Sequence, residues 1–228
     1  MAGESTAARR THFAPTDSLE FGRGVSFFDA VYGFAVTLLI ANVDAPPPEA
    51  WRSLSALAES GVPAQLIGFA LSFTVIAVFW RLNVRLMRRL AGLDGLTTAL
   101  NLVPAALVVL IAFTTQGISD PASADLALPT AFYALNIALV ALAQTVMFQV
   151  ARSRGLERVP TGARANRLDL IDSLITPLVF LLSIPLALFV DPNAAKWSWA
   201  TLIVLGPLSG RLTMRALDRP RRGGDGGG

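Results

Sequence analysis

Long apolar runs separated by short charged loops set the pattern of this chain. The first lies between Arg23 and Asp44, where twenty residues contain a single charge, Asp29. Further runs span Ser60 to Trp80, Gly95 to Ser119, Leu126 to Ala151, Ser173 to Val190 and Trp197 to Gly210. About 20 apolar residues in a helix cross a hydrocarbon core of roughly 30 Å. The pattern therefore predicts an all-α polytopic membrane protein with six transmembrane helices. The sixth run is short, but Arg211 can snorkel and let its helix continue toward Leu217.

Loop charges orient the spans. With the N-terminus in the cytosol, all of the 19 basic residues except Arg52 and Lys196 fall on the inner side. The outer loops carry Asp44, Glu49, Glu59, Asp120, Asp125 and Asp191. Both termini are then cytosolic. Trp51, Trp197 and Trp199 fall at the outer boundary and Trp80 at the inner one, as interfacial belts require. Three regions follow: a cytosolic arm over 1–22, a six-helix transmembrane domain over 23–217, and an Arg/Gly-rich disordered tail over 218–228. Arg9-Arg10 lacks the short apolar region and cleavage site of an export signal, so the arm is expected to stay on the chain.

Composition supports the class and narrows the chemistry. The 228 residues are 53% hydrophobic and 15% charged, against about 25% charged in soluble domains. Cysteine is absent and His12 is the one histidine. No thiolate metal site can be assembled; with His12 alone, in the polar N-terminal segment, neither a histidine cluster nor a Ser-His-Asp triad is expected, and no metal or cofactor is expected. The spans offer no clustered carboxylates either, so an enzyme is not the reading. The basic residues are membrane flanks rather than a nucleic-acid-binding module. The dominance of arginine over lysine hints at a GC-rich bacterial genome.

The start of the first span reads Arg23-Gly-Val-Ser-Phe27-Phe28-Asp29, followed by Ala-Val-Tyr-Gly-Phe-Ala-Val-Thr-Leu-Leu-Ile. This resembles the Arg-x-x-x-Phe-Ser-Asp signature of the prokaryotic members of the transmembrane protein 175 potassium channel family. Phe79-Trp80 with Arg85 and Arg88-Arg89, Leu100-Asn101-Leu102, Tyr133-Ala134-Leu135-Asn136 and Thr176-Pro177-Leu178-Val179-Phe180 resemble its later helices, in order. Two places depart from the pattern. The signature serine is Phe28, and the His-His pair often found in the second helix is Asn83 and Val84. A gating or proton sensitivity that depends on those groups is not carried over.

The resemblance implies a channel of the bacterial plasma membrane in which the first helices of four copies surround one pore. Animal relatives have two six-helix units per chain; with one unit here, a homotetramer is implied. The Thr-Val-Gly-Tyr-Gly carbonyl filter of other potassium channels is absent, so a constriction by apolar side chains is expected, at positions matching Phe34, Leu38 and Ala41. A helix turns about 100° per residue, which puts Phe27, Val31, Phe34, Leu38 and Ala41 within about 80° of one another. Such a stripe is the seam of helices around an axis, although any packed transmembrane helix has one.

Asp29 lies about 140° from Phe34. A carboxylate in a span needs a partner, so Asp29 reads as a structural latch, with Arg23, Asn83 and Asn101 as candidate donors. Thr37, about 60° from Phe34, has a hydroxyl that can meet a passing ion or bond back to the preceding turn. Asn42, Asp44 and Glu49 lie near the outer mouth, as cation-attracting groups or as solvated loop residues. The expected permeant ion is K⁺, with other monovalent cations possible, across a lipid bilayer. A proton or non-selective cation channel on the same scaffold is the alternative, and a secondary transporter a more distant one.

Overall fold

The computed structural model describes residues 13–202, and these are helical almost throughout. A two-residue strand β1 (Ala14–Pro15) leads into α1 (Leu19–Ala41). A 3-10 turn (Pro48–Arg52) and the short α2 (Leu54–Glu59) precede α3 (Val62–Arg89). Strand β2 (Gly92–Leu93) is followed by α4 (Gly95–Ser119), α5 (Ala127–Ser153), α6 (Ala163–Phe189) and α7 (Pro192–Ser198). Among the described residues five helices are long and apolar enough to cross a membrane: α1, α3, α4, α5 and α6. The sixth predicted run begins in α7 and continues past Leu202, outside the described residues. So do Arg9, Arg10, His12 and the tail.

The bundle is built outward from α5. It packs between α4 and α6, while α1 lies against α3 and α4. Tyr133, Ile137, Val140 and Ala141 of α5 meet Val108 and Ile111 of α4 and Phe180 of α6 in the main core. Trp199 is buried there as well, stacked on Tyr133 with ring centroids 5.2 Å apart and donating to Ser183 Oγ at 2.9 Å. It is thus a core residue rather than the interfacial one that its sequence position suggested; Trp197 is exposed. Helices α3 and α4 approach closely at Gly68, where an added Cβ would lie 2.4 Å from Ser119 Cβ.

Helix ends depart from the sequence reading for local reasons. Ser18 caps α1 by accepting the Phe21 N–H, so the helix starts before Arg23. At the arginine-rich end α3 runs on to Arg89, and α6 begins at Ala163, ahead of its apolar stretch. Uncharged runs locate the apolar stretch of a helix, while its full length is set by caps and tertiary contacts. The same end is tied by extended segments. β1 pairs antiparallel with β2, Ala14 opposite Leu93, and the Ala91 N–H donates to the Leu156 carbonyl at 2.8 Å. Only glycine fits at position 92, where an added Cβ would fall 2.4 Å from the Ala14 carbonyl oxygen.

Candidate functional site

Helix α1 has two faces. Phe28, Tyr32, Ala35 and Leu39, at alternating steps of four and three, are buried against α3 and α4. That spacing keeps residues on one side of a helix. Phe27, Phe34, Thr37 and Ala41 lie on the other side and are exposed, with Phe34 61% accessible. Leu38 sits at the border, half-buried and packed against the core. Three of the five stripe residues thus share an uncovered face, while Leu38 and Val31 are half-buried. The Thr37 hydroxyl donates to the Phe34 carbonyl at 2.7 Å. Arg23 is exposed at the start of the helix.

The latch residue Asp29 finds a different partner from those expected. Its Oδ1 accepts the indole N–H of Trp80 at 2.8 Å. Asn83 and Asn101 are both buried and bond to each other instead, Nδ2 to Oδ1 at 2.9 Å. Asn83 of α3 thus donates to Asn101 of α4, and the buried Asn101 Nδ2 has no hydrogen-bond partner among the described residues. Phe28 occupies the place of the signature serine as a ring, almost fully buried and edge-on to Phe27 at 5.7 Å between centroids.

The neighbouring hydrogen bonds hold α1 to the bundle. Gln144 donates through Nε2 to the Tyr32 hydroxyl at 2.8 Å and to the Phe79 carbonyl at 3.2 Å, joining α5, α1 and α3. Tyr133, Ser72 and Thr115 form a second buried chain across α5, α3 and α4. At the far end of α1, Asn42 Nδ2 donates to the Ala112 carbonyl at 2.6 Å. Asp44 closes a two-bond ring with Gln65: its backbone N–H reaches Oε1 at 3.0 Å, and its Oδ2 accepts from Nε2 at 2.9 Å. Sequence pattern places Asn42 and Asp44 at the outer mouth without indicating these anchoring bonds. Tyr32, Gln144 and Gln65 escape it too; isolated polar residues inside apolar runs were the available signal.

At the arginine-rich end a compact ion cluster joins three helices. Arg89 Nη1 lies 2.6 Å from Asp169, and Arg152 Nη2 lies 2.8 Å from Glu157 Oε1 and 3.5 Å from Asp169. Both guanidinium groups stand over the Phe148 ring, at 4.4 and 5.1 Å. Burial pushes the Glu157 carboxyl up, but hydrogen bonds and charge from Arg152, the Thr161 amide and Arg89 outweigh it and hold the group below its ordinary value. Asp94 caps α4 and is likewise held low, burial being outweighed by hydrogen bonds from Thr97 and Arg154. No cluster of three metal-ligating side chains occurs among the described residues. What the arrangement offers is an uncovered apolar helix face, backed by a well-bonded bundle.

The chain is similar to known proteins. Residues 23–112 match the family described as endosomal/lysosomal potassium channel TMEM175. A potassium channel of Streptomyces collinus is 27% identical over 180 residues, covering 76% of this chain and 85% of that protein. The crystal structure of a lysosomal potassium-selective channel TMEM175 homolog from Chamaesiphon minutus superposes with a TM-score of 0.68 at 19% identity. The match covers 84% of this chain and 99% of that one.

Proposed function

We propose, for a chain whose residues 23–112 match the TMEM175 potassium channel family and which is 27% identical to a potassium channel over 180 residues, a potassium-permeable channel formed by four copies around a pore lined by their α1 helices. The family is one of ion channels rather than enzymes, and the chain is a multi-pass membrane protein. The observation that carries the reading is the two-sided burial of α1. One seam is packed inside its own subunit, while Phe27, Phe34 and Ala41 are left uncovered. A single α1 offers one face, so an enclosed pore needs several copies; closed cyclic symmetry is the usual way to supply them, and the family resemblance favours four.

In this reading six spans leave both termini in the cytosol of a bacterial cell, with the arginine-rich end inside. Phe34 and Leu38 form the constriction, and Ala41, being small, a wider outer ring. A ring of apolar side chains expels water, and a hydrated cation does not pass a dry constriction. Widening or rotating the ring restores water and conduction. The hydroxyl of Thr37 donates its proton to its own helix. The Asp29–Trp80 bond and the Tyr32–Gln144–Phe79 bonds hold α1 at a fixed rotation, so that the same face meets the axis in every copy.

Purified protein in liposomes tests this. Under a K⁺ gradient it should pass K⁺, and bi-ionic K⁺/Na⁺ conditions should give a reversal potential set by K⁺. A reversal potential that follows Na⁺ or pH equally would replace the reading with a non-selective cation or proton channel. Absence of flux in a well-folded preparation would remove it.

A further inference from the structure

The charged end of α3 carries three arginines that the ion cluster does not use. Arg81, Arg85 and Arg88 are exposed, and none has an ion-pair partner among the described residues. Arg89, Arg152 and Arg154, at the same end, are all paired, with Glu157, Asp169 and Asp94. At about 100° per residue, Arg81, Arg85 and Arg88 fall within about 60° of one another on α3. Spacings of four and three put these like charges side by side, where they repel. The dipole of α3 favours Arg88, in its last turn, but its effect has faded by Arg81, two turns earlier. Among the described residues the subunit supplies no counter-charge to this face.

The surroundings of the stripe fit a phospholipid. Trp80, the residue before Arg81, is 42% exposed and bonded to Asp29. A tryptophan at the end of a span marks the headgroup level. On the membrane side of that level, Ala77 and Phe73 continue the line of Arg81 and Arg88, all four within about 80°. They lie about 6 and 12 Å from Arg81, inside one half of a hydrocarbon core roughly 30 Å thick. Phe73 is 44% exposed and Ala77 half-buried. One face of α3 thus runs from apolar to cationic in the order in which a leaflet presents acyl chain and phosphate.

We propose that Arg81 and Arg88, with Arg85 at their side, hold the phosphate of an anionic phospholipid of the inner leaflet, its acyl chains lying along Ala77 and Phe73. Arg81 and Arg88 are about 10.5 Å apart along the helix axis. Their long flexible stems let both guanidinium groups bend toward one headgroup, and each can grip a phosphate through two parallel N–H donors. Arg85 stands at the edge of the stripe, beside the cavity that it lines with Asp172. A second copy of the chain suits this face less well. Inserted the same way, it brings its own arginine-rich end to the same level. The cytoplasmic leaflet supplies the missing sign. The site rests on the arginine-rich end being inside and not on conduction.

Phosphatidylglycerol in phosphatidylcholine vesicles is the probe. The full chain is reconstituted with bromine on the acyl chains of one lipid or the other in turn. Bromine quenches nearby tryptophan fluorescence, and Trp80 adjoins the site. The quenching that disappears in Trp80→Phe therefore reads occupancy there, while Trp51, Trp197 and Trp199, at the other end of the bundle, give the background. Phosphatidylglycerol should be preferred at Trp80. Arg81→Gln and Arg88→Gln should each lower that preference about fivefold. Arg81→Lys with Arg88→Lys keeps both charges and should retain most of it, which separates loss of the site from loss of the fold. Arg158→Gln, Arg164→Gln and Arg167→Gln together remove exposed charge away from α3 and should leave the preference in place. An unchanged preference in the double glutamine variant would overturn the proposal. So would an equal loss in the triple variant, which would mean diffuse attraction by the whole charged end. Loss of the preference on adding millimolar inorganic phosphate would give the arginines to a soluble anion, and this too would overturn it.

Discussion

Phe28 and Asp29 are adjacent in sequence, yet one is buried and the other faces outward. Their neighbours decide what each does. Helix geometry and the cost of a carboxylate in a span make Asp29 a latch but do not name its donor, because Trp80 comes from another helix, fifty-one positions away. In the sequence Trp80 reads as a belt residue and as part of the Phe79-Trp80 resemblance, neither of which points to Asp29. Replacing Trp80 with Phe keeps the ring and removes the N–H. Hydrogen bonds to charged groups contribute about 1.5–3 kcal/mol, and at this accessible site about 1 kcal/mol is expected. Thermal unfolding of Trp80→Phe, Asp29→Asn and their double variant should therefore show coupling. Independent losses would separate the two residues. Thr37 allows a second test at this scale. Since its hydroxyl is returned to the Phe34 carbonyl, Thr37→Val should leave unitary conductance unchanged; a large loss would mean that ions touch the hydroxyl.

Among the elements, α4 coincides with its predicted run, Gly95 to Ser119, because an Asp94 cap and the turn at Asp120 bound it where its apolar stretch also ends. Helices α3 and α6 were legible as spans but not to their full length, since their charged ends carry no apolar signal. The charges on those ends build the Arg89–Arg152–Glu157–Asp169 cluster, which no local pattern announces. Its acid response follows from the lowered Glu157 carboxyl. A depressed carboxylate adds stability above its unfolded-state value and loses that contribution as pH falls through its lower folded-state value. Melting temperature should accordingly drop as pH is lowered through the acid range below the ordinary glutamate value. Glu157→Gln should weaken this dependence and lower stability at neutral pH by about 2 kcal/mol. Unaltered acid sensitivity in that variant would assign it to another group.

At the scale of the whole molecule, the membrane class and the order of the spans were readable from uncharged runs and loop arginines. The stripe on α1 was readable as a stripe. Its exposure was not, because a packing seam and a pore seam have the same period, and α1 carries both: Phe28, Tyr32, Ala35 and Leu39 on one side, Phe27, Phe34 and Ala41 on the other. Only the placement of α1 at the edge of the bundle tells them apart. If the uncovered side is the constriction, shortening Phe34 or Leu38 to Ala should weaken the dry ring and raise resting K⁺ leak. Phe34 should have the larger effect, since Leu38 is half committed to the core. Native mass measurements should find four chains per particle.

The claim that the uncovered face of α1 lines the ion path is tested most directly by thiol accessibility during K⁺ current recording. Single cysteines are placed at 34, 38 and 41, and at 35 and 39 as buried controls, in a chain that has none of its own. A small, positively charged thiol reagent should reduce current through the variants at 34, 38 and 41 and leave those at 35 and 39 untouched. Equal modification of both sets, or none at the first, would contradict a pore along this face.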